Sequence, residues 1–145
     1  MEFLKQVALA RHNHCVRRSV WHIEWCTKYR YKMMQKIGNR NIVAACVKQA
    51  AHRHGIEILV LEVMPEHSHG VYKLPKGMSE EKAVKILKGY SAWKLFQVKE
   101  KFLLRYPKRH FWSRGYMARS VGVDEEKMIR YVNEQQKHHN VRFTP

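Results

Sequence analysis

Long apolar runs are missing from this chain. Its longest, "IVAAC" and "ILVLEVM", fall far short of the roughly 20 residues needed to cross a bilayer, so no membrane helix is expected. Nor does the start read as a secretory leader, because Glu2, Lys5 and Arg11 interrupt any apolar segment there, and a cytoplasmic location is expected. Cysteine is scarce: Cys15, Cys26 and Cys46 are odd in number and widely spaced, which speaks against a disulfide framework or a CxxC zinc knuckle and for reduced thiols that fill space. Acid is also short, with 12 Asp and Glu against 28 Lys and Arg, a formal charge of +16. Such an excess costs self-repulsion unless a polyanion sits nearby, so nucleic acid is the expected partner. No repeat or low-complexity linker divides the 145 residues, and the chain reads as a single domain spanning 1–145.

What is present falls into alternating elements. "SVWHIEWCTKYRY" (19–31) is aromatic and branched, with Val20, His22, Glu24, Cys26 and Lys28 on one face of a strand and Trp21, Ile23, Trp25 and Thr27 on the other. Ile42, Val43, Cys46, Val47 and Ala50 then recur at helical spacing, and Gly55 follows where a C-terminal cap belongs, so a helix should end near His54. Residues 56–64 read as a second strand stopped by Pro65, and "HSHGVYKL" as a third, antiparallel to it across a tight connection. Ser79 can cap a helix whose stripe is Ala83, Ile86, Leu87, Tyr90 and Trp93 and which should run to about Val98. A fourth strand or hairpin is expected in "FWSRGYMARSV" (111–121). Asp124 should cap a last helix, with Met128, Ile129 and Val132 along its apolar edge.

The order β-α-β-β-α-β-α predicts an α+β, ferredoxin-like (RRM-like) sandwich, an antiparallel sheet with helices on one face. On this reading 1–18 is an N-terminal extension, 19–121 holds the sheet and its packing helices, and 124–138 is the final helix. The fold hosts many functions and settles nothing about chemistry.

His67 and His69 open the third strand. Two imidazoles two residues apart are a weak signal, and His12/His14 and His52/His54 share the spacing. On a helix such residues point roughly 200° apart, which disqualifies His52 and His54; on a strand they share a face and could hold one metal ion. Two polar residues on an open sheet face is the plainer reading. A metal needs further ligands, and the last helix offers a pair one turn apart, Tyr131 and Gln135. Gln135 supplies a hard oxygen suited to Mg²⁺ or Mn²⁺. A tyrosine can attack a phosphodiester polarised by such an ion and keep the bond energy as a phosphotyrosine.

"VWHIEWCTKYRYK", "MPEHSHG", "LKGYSAWKLF", "FWSRGYMARSVG" and "IRYVNEQ", in this order, resemble the single-tyrosine transposases of the HUH endonuclease superfamily, which move small insertion sequences as single-stranded DNA. The resemblance runs from about Ser19 to Gln136. It implies His67, His69 and Gln135 as ligands of Mg²⁺ or Mn²⁺, and Tyr131 as the nucleophile of a cleavage that leaves a 5′-phosphotyrosine and a free 3′-hydroxyl. It also implies hairpin-ended single-stranded DNA as partner and a homodimer in which one subunit's tyrosine helix can complete the other's site. One letter departs from the pattern: the residue between the histidines is usually bulky and apolar, and here it is Ser68, which leads us to expect looser packing beneath the site.

"KYRYK" and "RYPKRHFWSR" interleave cations with aromatic rings, the combination that neutralises phosphates and stacks unpaired bases. Lys28, Arg30, Lys32, Lys88, Arg109 and Arg114 are the candidate DNA contacts. Two other readings stand beside the transposase: a non-catalytic RNA- or single-stranded-DNA-binding module, which gives Tyr131 and Gln135 no purpose, and a domesticated HUH nickase with the same chemistry.

Overall fold

The computed structural model describes residues 19–121, 129, 130 and 132–134. The expected N-terminal extension, most of the 124–138 helix, and Tyr131 and Gln135 lie outside the described residues. Six regular elements are described: β1 (Ser19–Cys26), α1 (Ile37–Arg53), β2 (Glu57–Val63), β3 (His67–Leu74), α2 (Glu80–Val98) and β4 (Met117–Ser120). Short 3₁₀ turns cover Lys28–Arg30 and Glu100–Leu104. The strands form one antiparallel sheet in the order β2-β3-β1-β4, the expected ferredoxin-like arrangement. Among the described residues no helix is long and apolar enough to cross a membrane.

The alternation read in β1 decides which side of the sheet is which. Ile23 and Trp25 enter the large core under α1 and α2, with Val43, Val47, Leu87 and Leu95 from the helices. Val20, from the other parity, joins Val71, Val121 and Val132 in a second cluster on the opposite face, with Ile129 packed against it. Both faces are therefore covered, but unequally. The two long helices occupy one, and Ile129 and Val132 sit on the other.

Local signals explain the boundaries. Ser79 Oγ accepts from the Lys82 amide at 3.1 Å, a cap of the kind worth about 1 kcal/mol. Gly55, at φ 71°, turns the chain out of α1 in the left-handed conformation expected of a C-terminal glycine. The first strand stops at Cys26 rather than near Tyr31, because the chain turns at Lys28–Arg30.

The fourth strand is shorter than the expected 111–121 and begins at Met117. Phe111 and Trp112 instead plug the core, and Trp112 Nε1 donates to Ser91 Oγ at 2.9 Å. Lys88 Nζ then holds the carbonyls of Ser113, Arg114 and Gly115 at 2.6, 3.2 and 3.1 Å, which ties that stretch to α2, while the Ser113 amide donates to the Cys26 carbonyl at the end of β1 at 2.9 Å.

Packing behind Ser68 is not loose. Ser68 is buried on the helix-covered face, and the ring of Tyr72 lies over Gly70, where an added Cβ would meet the Val60 carbonyl oxygen at 2.6 Å and two ring carbons at 3.3 Å. The ring runs back along the strand until its hydroxyl approaches Ser68, though without reaching hydrogen-bond geometry. A small residue at 68 leaves room for an aromatic at 72. Ser68→Leu should overpack this pocket and cost about 1–3 kcal/mol by denaturant unfolding. In a Tyr72→Leu background the same change should cost markedly less, and strictly additive losses in the double-mutant cycle would refute the coupling.

Candidate functional site

Antiparallel register builds the site, because directly paired residues share a face. Across the sheet one row reads Glu62, His69, Glu24, Met117; the next toward the strand end pairs His67 with Cys26; the row on the other side reads Val60, Val71, His22, Arg119. His67 and His69 thus stand side by side, ring centroids 5.5 Å apart, on the face opposite the two long helices. The other pair behaves as its helical setting demands. His54 caps α1, with Nδ1 3.0 Å from the Ala50 carbonyl, and His52 is exposed on the helix.

Each imidazole of the strand pair has a partner at Nδ1. Glu66 Oε1 lies 2.6 Å from His67 Nδ1. A carboxylate only accepts, so in the neutral ring the proton sits on Nδ1 and the lone pair on Nε2. His22 Nε2 lies 3.4 Å from His69 Nδ1, and burial holds His22 below the usual histidine range, which favours a neutral ring beside His69. Glu24 Oε1 is 3.8 Å from His67 Nε2, too long for a hydrogen bond but close enough to add negative charge there. This is the arrangement in which metal-binding histidines are usually oriented, with the far nitrogen held by a hydrogen-bonded partner. The donor set fits a divalent ion on Nε2 of both rings. Among the described residues no three His, Cys, Asp or Glu converge as a metal-binding group.

The six basic candidates fall into two places. Lys28, Arg30 and Lys32 lie in and just after the turn that follows β1. Lys88, Arg109 and Arg114 line one groove of about 410 Å³ beside α2, together with Trp93, which is 57% exposed. Within this groove Lys88 is engaged by three carbonyls, whereas Arg109 and Arg114 are exposed.

Comparison with known proteins follows the same lines. The profile of the family described as "Transposase IS200 like" matches residues 15–135. The chain belongs to this family. IS200-like relatives include the transposase of insertion sequence element IS200 from Salmonella typhimurium, 27% identical over 81% of this chain and 82% of the relative. The ISDra2 transposase of Deinococcus radiodurans is 28% identical over 79% and 82%. A crystal structure of a Deinococcus radiodurans transposase superposes with a TM-score of 0.67 at 25% identity, covering 83% of this chain and 92% of that one. A REP-associated tyrosine transposase, solved with a REP hairpin, shares the fold at a TM-score of 0.59 and 14% identity, covering 86% and 70%. Membership in the IS200-like family favours an enzyme over a non-catalytic module.

Four acidic or imidazole groups around the pair carried no assigned role in the sequence: His22, Glu24, Glu62 and Glu66. The parity of β1 had put His22 and Glu24 on one face; only the register between β1 and β3 puts that face beside His67 and His69. Glu62 is fully buried, with neither carboxylate oxygen hydrogen-bonded among the described residues, and burial pushes its pKa up to about 7 despite the opposing pull of Arg40.

A carboxyl whose folded pKa exceeds its unfolded value binds more protons when folded, so stability falls as pH rises between the two values. In metal-free protein, the Glu62 contribution should be full below about pH 4.5 and lost by about pH 7, a change on the order of 3 kcal/mol. Glu62→Gln should flatten that slope and unfold at higher urea than wild type at pH 8. An unchanged pH dependence would show that Glu62 ionises normally.

Proposed function

We propose that this IS200-like protein cleaves and rejoins single-stranded DNA at the ends of an insertion sequence, with His67 and His69 holding Mg²⁺ or Mn²⁺ and Tyr131 forming the covalent bond to DNA. The observation that carries the reading is the pair of same-face imidazoles, each with a partner at Nδ1, Glu66 for His67 and His22 for His69. Support for Tyr131 and Gln135 comes from their neighbours. Ile129 and Val132 pack on the sheet face that bears the histidines, with Val132 fully buried against Val20, Val71 and Val121. On the sequence expectation of one helix over 124–138, Tyr131 and Gln135 would fall one turn apart, with the glutamine as third ligand.

When bound, the ion withdraws charge from the phosphate under attack. Glu66 and His22 keep the two rings in the tautomer and orientation that coordination requires. The Tyr131 oxygen bonds to phosphorus as the bond to the 3′ oxygen breaks; the phenolic proton is released and the departing 3′ oxygen gains one. The products are a 5′-phosphotyrosine and a 3′-hydroxyl. Joining is the reverse attack by another 3′-hydroxyl, so no nucleotide is consumed. The reading includes hairpin-ended DNA as substrate, work in a prokaryotic cytoplasm, and a homodimer whose subunits can share tyrosine helices. A domesticated nickase would use the same residues.

With a labelled single-stranded substrate and Mn²⁺, the wild type should give a protein–DNA adduct stable in SDS, and Tyr131→Phe should give none while still binding DNA. An adduct surviving in the variant removes Tyr131 as nucleophile. Glu66→Ala should weaken Mn²⁺ binding measured by calorimetry about 10- to 100-fold. His67→Ala should abolish it, and unchanged affinity in His67→Ala would overturn the metal assignment.

A further inference from the structure

The turn after β1 holds a tyrosine in a costly conformation. Tyr29 and Arg30 are successive non-glycine residues with φ of 62° and 55°, a region L-residues seldom occupy and then mostly one at a time. No glycine is used to ease the turn. It is held instead by four hydrogen bonds. The Arg30 amide donates to the Thr27 carbonyl at 3.0 Å, the Lys28 amide to Phe111 at 2.8 Å, Thr27 Oγ1 to Tyr31 at 2.7 Å, and the Tyr106 hydroxyl to Lys28 at 2.8 Å.

The result is an exposed aromatic platform. Tyr29 is 67% exposed, yet its ring is nearly parallel to the buried Tyr106 ring, 6.5 Å away at 26°, and touches Tyr31 at 5.4 Å. Cations flank it. Lys28 Nζ lies 5.4 Å from the Tyr29 ring centre, and the Arg105 guanidinium 4.9 Å from that of Tyr31. The platform is tied to the histidines: the Thr27 amide donates to the carbonyl of Glu66 at 2.9 Å, and Glu66 holds His67. Backbone strain fixed by surrounding bonds and ending in an exposed ring is what a preorganised contact requires, since the ordering cost is met before the ligand arrives.

We infer that Tyr29, backed by Tyr106 and Tyr31, is a stacking site for one unpaired nucleobase of the strand bound at the His67–His69 face. Lys28 and Arg105 neutralise the phosphates on either side of that base. A base offers a flat π-face with an anionic link at each end, and a platform with cations at its rim matches both features. A duplex cannot use the site without unstacking, so the contact also favours single strands.

This inference rests on single-stranded DNA being the substrate, and its test separates the two. Binding is measured in EDTA with Tyr131→Phe, so neither metal nor cleavage enters the result. Oligonucleotides carrying 2-aminopurine at successive positions should show one position whose fluorescence is quenched on binding. Tyr29→Ala should remove that quench and weaken single-strand binding about five- to 100-fold, the range that stacking one base contributes. Tyr29→Trp should retain both, and duplex binding should not change. Tyr29→Gly accepts the positive φ, so it should melt above the parent while binding single strands as weakly as the alanine variant. Parental affinity and quench in Tyr29→Ala, or equal losses on single strand and duplex, would overturn the platform. The phosphotyrosine adduct of the wild type reports separately on the cleavage reading.

Discussion

The pairing of β1 with β3 is the constraint on which the rest depends. Eight consecutive residue pairs, from Ser19 opposite Leu74 to Cys26 opposite His67, decide which β1 side chains the histidines meet. A slip of one residue would reverse the sides. It would bring Ile23 and Trp25 out of the main core and turn His22 and Glu24 toward the helices. The same register that buries the aromatic face of β1 therefore also delivers the polar one to the site. Stability and chemistry are specified by a single alignment.

The site gathers opposite charges at close range without spending them. A +16 chain has placed Glu24, Glu62 and Glu66 around two imidazoles, while the six candidate DNA-contacting cations lie in and after the turn that follows β1 and along the groove beside α2. Local negative charge suits a divalent cation; peripheral positive charge suits a phosphate backbone. Among the described residues neither Glu62 carboxylate oxygen has a hydrogen-bonding partner, and its buried carboxyl is a cost to folding.

Much of this architecture was legible in sequence. Periodicity located both long helices and the first three strands, and parity separated the two faces of β1. Three features were not. The fourth strand was overextended because Phe111 and Trp112 have strand-like character but serve as core plugs, a difference set by Ser91 and Lys88 on a distant helix. The roles of Glu66 and His22 required knowing which nitrogen faces which partner. The left-handed turn at Tyr29 carries no glycine or asparagine, so no local preference announces it; hydrogen bonds from residues nearly 80 positions away impose it. What local preference governs is readable from one chain, whereas what long-range bonds enforce is not.

Tyr72 has a consequence for how such proteins are recognised. Its ring occupies the volume that a large residue between the two histidines would otherwise fill, and Gly70 gives it passage. The middle letter of the motif is thus one half of a volume shared with a position four residues later. A search pattern that insists on a bulky apolar letter there discards chains that have moved the bulk downstream. Scoring positions 68, 70 and 72 as one compensating unit would keep them, and would predict that large residues at both ends do not occur together when the glycine is present.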